Sequence, residues 1–245
     1  MGIRTLSRHG GCQRLTGSGL KWIAVFTMLI DHIGAALLEY WLWINPEVPS
    51  ALLWHRIDVI CRCVGRLSFP LFCFLIVEGF CHTHDLRRYG LRLLLFAVLS
   101  EIPYDLAFTH SAFDWEAQNV FFTLFLGLTA LYLLRRWQGR LLPQSLSVVI
   151  CAAAAEFLHI DYGLFGVLLI ILLYLLRDKP HWRTVAGCAL IFLYEPLGPL
   201  RGFAAVAFLL LYLYSGEKGK GNKYFFYLFY PAHLLLLYGV SLLLS

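Results

Sequence analysis

Long apolar runs separated by short charged breaks form the dominant pattern of this chain. The run LKWIAVFTMLIDHIG, at residues 20–34, opens the first of them and carries two ionisable side chains near its end. A helix of about twenty apolar residues crosses the hydrocarbon layer of a membrane, which is roughly 30 Å thick. The pattern predicts nine spans, at about 20–41, 57–81, 89–108, 118–134, 142–158, 161–176, 183–197, 200–214 and 223–243.

The predicted fold class is therefore all-α, a polytopic membrane helical bundle with about nine transmembrane helices. The segment EPLGPLRG, at 195–202, is either a tight turn between two helices or a re-entrant break, so that eight to ten helices stay open. Hydrophobic residues make up 60% of the chain and charged residues only 14%, against roughly 25% charged residues in a soluble domain. We expect an N-terminal segment at 1–19 and a single transmembrane domain at 20–245, with a polar half at about 20–134 and a more apolar half at about 135–245.

The positive charges indicate the orientation of the bundle. The net charge is +5, but the basic residues lie in short groups between apolar runs, which argues against nucleic-acid binding. If the N-terminus is cytoplasmic and nine helices follow, sixteen of the twenty basic residues lie on the cytoplasmic side: Arg4, Arg8, Arg14, Lys21, Arg87, Arg88, Arg92, Arg135, Arg136, Arg140, Arg177, Lys179, Arg183, Lys218, Lys220 and Lys223. This asymmetry predicts a multi-pass protein of the bacterial cytoplasmic (inner) membrane, with its C-terminus outside.

Several ionisable or polar residues fall inside the predicted spans. A charge at membrane depth costs several kcal/mol, so such residues usually face a partner or a water-filled cavity. Two arrangements would satisfy these residues: a purely structural network of ion pairs between neighbouring helices, or a cavity that also binds a polar ligand. We expect the cavity, built by the N-terminal half from Asp31, His32, Arg62, Arg66, Glu78, Glu101, Asp105 and Asn119.

His32 is the candidate catalytic base, since a neutral imidazole takes up and returns protons near pH 7. The alternative for such a histidine is a packing or structural hydrogen-bonding role. Asp31 is its neighbour in sequence, but adjacent side chains on a helix point about 100° apart, which leaves Glu101 or Glu78 as the acid that orients it. The cysteine and histidine groups CRC and CHTH lack a second cluster at metal-ligand spacing, so we expect no metal.

Four successive blocks carry a family likeness: LKWIAVFTMLIDHIG (20–34), GRLSFPLFCFLIVEGFCHT (65–83), YGLRLLLFAVLSEIPYDLAF (89–108) and QNVFFTLFLGLTALYLL (118–134). In this order they resemble the TraX family, whose founder is associated with N-terminal acetylation of conjugative F-type pilin. The resemblance implies a relationship to multi-helix membrane acyltransferases, which use cytoplasmic acyl-CoA. Larger acyltransferase branches carry a basic residue, a small residue and, eleven positions after the basic one, a histidine, and Lys21, Ala24 and His32 match that spacing.

This likeness implies that His32 is the base and Arg66 a cation of the cavity. We accordingly expect transfer of an acetyl group from acetyl-CoA to an amine or hydroxyl on a pilin-like peptide or an envelope glycan or lipid. Arg62 or Arg66 would stabilise charge on the thioester oxygen, and Glu78, Glu101 and Asp105 would hold the acceptor or set the basicity of His32. The phosphates of the donor are expected at Lys21, Arg87, Arg88 and Arg92.

Two other classes of function remain open at this point. Buried carboxylates and a histidine also relay protons in a proton-coupled transporter or flippase. A non-catalytic pilus assembly factor would instead bind a membrane helix through aromatic and small residues. Uptake driven by a pH gradient indicates the transporter, and crosslinking to a pilin-like partner without binding of CoA indicates the assembly factor.

Overall fold

A computed structural model describes residues 15–195, 198, 200–220 and 223–244. Arg4, Arg8 and Arg14, with most of the predicted N-terminal segment, lie outside these residues. In the described part of the chain the secondary structure is helical, apart from two isolated bridges. Its nine helical segments are α1 (Gly17–Ile44), α2 (Ala51–His82), α3 (Leu86–Thr109), α4 (Val120–Arg136), α5 (Leu141–Phe157), α6 (Gly163–Leu175), α7 (Pro180–Tyr194), α8 (Phe203–Tyr212) and α9 (Lys223–Leu244).

The nine segments fit the nine predicted spans, with differences at the ends. Among the described residues, α1, α2 and α9 are long and apolar enough to cross a membrane, and α5, α6 and α8 are shorter apolar helices. The sixth helix begins at Gly163 rather than 161, because Tyr162 has a φ value of 63°, outside the right-handed helical region. The eighth begins only after Gly202, which has φ of 83°.

Two local irregularities in the first two helices position the polar residues. In α1, a π-helical turn at Gly34–Leu38 follows His32, and such turns shift the direction of the side chains on either side. In α2, two regular pieces, Ala51–Gly65 and Ser68–His82, meet at Arg66. Pro70 explains this break, since its ring lacks an N–H and would clash with the carbonyl of the residue four positions earlier, which is Arg66.

The connections between helices gather at two ends of the bundle. At one end, Leu15 pairs with Tyr214 and the N–H of Gly17 donates to the carbonyl of Glu217 at 2.7 Å, which fastens the start of α1 to the α8–α9 connection. At the other end, a bridge between Gln118 and Ile160 joins the α3–α4 and α5–α6 connections. We call the first the basic end, because the arginine groups at the starts of α3 and α7 and the end of α4 lie there. We call the second the opposite end.

A core of buried apolar side chains separates the two ends. Leu71 and Cys73 of α2, Leu131 of α4, and Leu169 and Ile170 of α6 are all fully buried. Helices α4 and α6 approach closely because Gly127 leaves room for the side chain of Ile170. The polar residues of the first half of the chain are therefore held on rigid, well-packed helices.

Candidate functional site

A cavity of about 430 Å³ lies in the half of the bundle nearer the opposite end. Helices α1, α2, α3, α7 and α9 contribute to its wall, together with the start of α4 and the α5–α6 connection. Its polar side chains come mainly from α1 and α2, and tyrosines and phenylalanines form much of the rest. The lining residues are Met28, Asp31, His32, Ala35, Glu39, Arg62, Arg66, Ser68, Phe69, Phe72, Tyr104, Phe108, Val120, Asp161, Tyr162, Tyr194 and Tyr230.

His32 is held against a second histidine, from the last helix. Nδ1 of His32 lies 2.7 Å from Nε2 of His233, and the two rings are parallel, with centroids 5.0 Å apart. Nδ1 of His233 lies 2.8 Å from the carbonyl oxygen of Phe229. The expectation that Glu101 or Glu78 orients His32 is wrong, since His233 makes this contact. Phe108 presents its ring edge-on to His32 at 5.3 Å and limits its rotation.

Asp31 faces α2 instead, as the angle between adjacent side chains on a helix requires. Its carboxylate accepts an ion-paired hydrogen bond from Arg62 at 2.8 Å. Nε of the same arginine lies 3.4 Å from Glu39, two helical turns after Asp31. Gly65 makes the pairing possible, because a β-carbon there would lie only 2.1 Å from the Asp31 carboxylate. Arg62 is therefore neutralised by two acids of α1.

Arg66 lies one turn after Arg62 and also lines the cavity. Within the described part of the chain, its guanidinium makes neither an ion pair nor a hydrogen bond. Since a guanidinium carries five donors, Arg66 offers a charge and several N–H groups to a ligand. The structure thus brings together four predicted residues, Asp31, His32, Arg62 and Arg66, and within the described ranges Arg66 has no ion-pair partner.

Asp161 lies in the connection between α5 and α6, outside both helices, and reaches the cavity. Burial raises the pKa of Asp161 to about 7, and the nearby Asp31 carboxylate adds to the increase. Near neutral pH its carboxyl group therefore exists both as a hydrogen-bond donor and as a carboxylate. Asp161 is difficult to recognise from the sequence, because an acid at a helix end is usually solvated.

Glu101, Asp105 and Asn119 form a separate cluster beside the cavity. Asn119 caps α4 by accepting from the N–H of Phe121 at 3.0 Å, and its amide donates to the carbonyl of Ala97 at 2.8 Å and to Glu101. Asp105 accepts from the backbone N–H of Asp114 at 3.0 Å. These contacts fasten the α3–α4 connection, and none of the three predicted residues lines the cavity.

Glu78 lies far along α2, toward the basic end, where it accepts from the hydroxyl of Tyr214 at 2.7 Å. It does not line the cavity either, so its predicted place in acceptor binding does not agree with its position. The structure instead gives it the role of joining α2 to the α8–α9 connection. The sequence placed it correctly inside a span but could not reveal at which end of the bundle it lies.

The predicted donor-binding residues also lie toward the basic end, but they are dispersed. Lys21 contacts the ring of Phe226, Arg88 pairs with Asp85, Arg92 contacts the ring of Tyr89, and Arg87 is exposed. None of these four borders either of the two described cavities. A second cavity, of about 490 Å³, lies at this end and is lined by Thr83, His84, Leu86, Tyr132, Arg135 and Arg136.

No group of three histidine, cysteine, aspartate or glutamate side chains in the described residues is arranged to hold a metal ion. The cavity at the basic end is suited to a phosphate group, because Arg135 and Arg136 border it and arginine makes strong, charge-assisted bonds to phosphate.

The cavity at His32 contains an imidazole, the guanidinium of Arg66 and several hydroxyl groups. These groups suit proton transfer next to a carbonyl group.

Comparisons with known proteins agree with the sequence resemblance. A probable fimbrial assembly protein, FimC of serogroup H1 from Dichelobacter nodosus, is 29% identical over 249 residues, an alignment that covers 92% of this chain and 96% of that protein. The uncharacterized protein RP591 of Rickettsia prowazekii (strain Madrid E) is 26% identical over 156 residues, which is 62% of this chain and 52% of that protein. No solved structure matches the chain.

The family model described as TraX protein matches residues 16–241. This match confirms the resemblance found in the first half, at about 20–134, and extends it through the apolar second half. The residues that build the cavity, from α1 to α9, all fall within the matched region. The chain therefore belongs to the TraX family.

Proposed function

We propose that this protein is a membrane acyltransferase that moves an acetyl or short acyl group from acyl-CoA to an amine or hydroxyl acceptor. The observation that carries the proposal is that His32 lies in one cavity with Arg66, which forms no ion pair with any residue that the structure describes. A base and a free cation beside it are what acyl transfer requires, since a proton must leave the acceptor as negative charge develops on the thioester oxygen.

In the proposed step, the acceptor gives its proton to Nε2 of His32 while its nitrogen or oxygen bonds to the thioester carbon. The carbon–sulfur bond then breaks, and His32 returns the proton to the leaving thiolate. Arg66 is better suited than Arg62 to stabilise the oxygen of the intermediate, because Arg62 is already paired with Asp31 and Glu39. General-base catalysis of this kind contributes about 10²- to 10⁴-fold.

We further propose that all nine helices cross the cytoplasmic membrane with the basic end inside, as the positive-inside rule favours. The cavity at His32 then faces the outer half of the membrane, where the acceptor would enter. The donor phosphates would bind at Arg135 and Arg136 rather than at Lys21, Arg87, Arg88 and Arg92, because the former border a cavity.

The two cavities are separated by a substantial length of helix. Val120, in the wall of the first cavity, and Tyr132, in the wall of the second, are twelve positions apart on α4, or about 18 Å at 1.5 Å per residue. The buried side chains of Leu124, Leu128 and Leu131 fill the space along this face. The acyl arm of a donor bound at the basic end would therefore reach His32 only if α4 and its neighbours move apart.

The test uses the full-length protein in nanodiscs with acetyl-CoA labelled in its acetyl group. Candidate acceptors are a peptide with a free N-terminus and a lipid-linked sugar. His32→Gln should lower the rate of transfer by about 10²- to 10⁴-fold. His181→Gln is the matched control, since His181 is exposed at the start of α7 and should leave the rate unchanged. Transfer that continues undiminished in His32→Gln would refute the assignment of the base.

The name of the FimC relative favours a second candidate, a non-catalytic factor in fimbrial or pilus assembly. Under that function the cavity would bind part of a fimbrial subunit without chemistry. Photocrosslinking from position Phe72, in the cavity wall, distinguishes the two candidates. Crosslinks to a pilin-like subunit in the absence of any binding of CoA would favour the assembly factor.

A further inference from the structure

The contact between His32 and His233 fixes which ring nitrogens carry hydrogen. A carbonyl oxygen only accepts, so Nδ1 of His233, 2.8 Å from the carbonyl oxygen of Phe229, must be the protonated nitrogen. A neutral imidazole has one N–H group, which leaves Nε2 of His233 as an acceptor. Nδ1 of His32, 2.7 Å from that acceptor, must then donate.

We infer that His233 is a positioning residue that holds His32 in the tautomer protonated at Nδ1, which leaves the lone pair of Nε2 free in the cavity. The same chain of bonds orients the ring of His32 from α9 while Asp31 is engaged by α2. Proton uptake then occurs at one defined atom. This inference deepens the proposed function, and its catalytic consequence rests on that function.

The surroundings of the pair support neutral rings. His233 has only 4% of its surface exposed. In the described residues neither imidazole has a hydrogen bond or an ion pair with a carboxylate. An imidazolium at His233 would be buried without a counter-ion, which is costly. The reverse arrangement, in which His233 donates to His32, needs such an imidazolium.

The pair also defines what happens after proton transfer. Once Nε2 of His32 accepts a proton, both of its nitrogens carry hydrogen and Nδ1 still donates to His233. The hydrogen bond is retained and strengthened, because a charged donor forms a stronger bond than a neutral one. His233 therefore stabilises the protonated intermediate without itself exchanging a proton.

The tautomer can be measured without knowledge of the acceptor. Nitrogen NMR of protein labelled with ¹⁵N-histidine, in nanodiscs, distinguishes protonated from unprotonated ring nitrogens, and the signals of His32 are assigned by their loss in His32→Gln. We expect His32 to be protonated at Nδ1 and unprotonated at Nε2. A His32 that is protonated at Nε2 instead would overturn the inference.

Two substitutions test whether His233 is the cause. His233→Leu removes the acceptor and should give a mixture of both tautomers at His32, whereas His233→Gln supplies an amide oxygen that can accept and should keep the Nδ1–H form. A thermal melt of each variant, beside His181→Gln, confirms that the bundle stays folded. If His32 in folded His233→Leu keeps the tautomer of the native protein, His233 does not position it.

Kinetics separate this inference from the proposed function. If acyl transfer is detected, His233→Leu should lower kcat by between about 10-fold and about 10⁴-fold, leave KM for the donor unchanged, and be partly rescued by His233→Gln. An unchanged kcat in His233→Leu would overturn the positioning role. If the NMR result is as expected and no transfer occurs with any acceptor, the inference about the tautomer stands and the proposed function fails.

Discussion

Arg62 and Arg66 are one helical turn apart and line the same cavity, yet they differ in their ion pairs. Arg62 has two carboxylate partners on α1, so its charge is balanced before any ligand enters. Arg66 lies where Pro70 interrupts the helix, and it has no such partner among the described residues. We therefore assign Arg62 to holding α1 and α2 together and Arg66 to binding a ligand.

The first prediction follows from this difference. Arg66→Gln should reduce transfer by about 10²- to 10³-fold, the usual effect of removing one group that stabilises an oxyanion, and should leave the thermal midpoint almost unchanged. Arg62→Gln should instead lower the thermal midpoint, because it leaves the Asp31 carboxylate half-buried without its partner. Equal effects of both substitutions on activity and on stability would contradict the assignment.

The sequence predicted part of this site, for identifiable reasons. Asp31, His32, Arg62 and Arg66 were found because ionisable residues inside apolar runs are conspicuous. Glu39 and Asp161 were missed because they lie near helix ends, where charges are ordinary.

Contacts between distant helices explain the other differences. Nothing in the sequence YPAHLL indicates that His233 of α9 packs beside His32. Glu101 and Asp105 are four residues apart and share a face of α3, but that face holds the α3–α4 connection. Spacing along a helix shows which residues share a face, whereas the partner of that face depends on packing.

At the scale of the helices, the close contact between α1 and α2 determines the geometry of the site. Gly65 faces Asp31 so closely that no β-carbon fits. The π-helical turn of α1 begins at Gly34, two residues after His32. These features bring Asp31 against α2 and leave His32 facing α9. The break and the turn could not be read from hydropathy, because both irregular segments remain apolar.

The second prediction concerns this contact. Gly65→Ala places a methyl group 2.1 Å from the Asp31 carboxylate, so it should separate α1 from α2 and destabilise the protein by about 1–3 kcal/mol, as overpacking does. Gly90→Ala in α3 is the matched control, because a β-carbon at Gly90 would be 3.8 Å from the nearest atom, an ordinary van der Waals contact. Thermal unfolding in detergent measures both. Equal thermal unfolding midpoints for Gly65→Ala and Gly90→Ala would contradict the prediction, because they would show that the space between Gly65 and Asp31 accommodates a methyl group.

At the scale of the molecule, the number of helices and the grouping of their connections could be predicted from the sequence. The apolar runs predict the number of helices, and the alternation of basic and acidic connections predicts which connections lie at the same end of the bundle. The location of the cavity could not be predicted, since it depends on how six helices and one connection meet. The cavity is observed in the half of the bundle nearer the opposite end.

The third prediction tests the orientation. In a variant whose seven cysteines are replaced by alanine, Gln138→Cys reports on the basic end and Glu116→Cys on the opposite end. A thiol reagent that cannot cross the membrane should label the second from outside intact spheroplasts and the first only after lysis. Labelling of both from the same side would refute the proposed topology.

The pairing of His32 with His233 has a consequence for biosynthesis. The two histidines are 201 positions apart, and chains grow at about 5–20 residues per second, so roughly 10–40 s of translation separate them. Throughout that time the growing protein has an imidazole without the partner that directs its proton. The fastening of Leu15 to the α8–α9 connection is delayed in the same way. If the proposed acyl transfer occurs, we expect a protein truncated before α9 to have at most the lowered kcat of His233→Leu, because it lacks the same hydrogen-bond acceptor for His32.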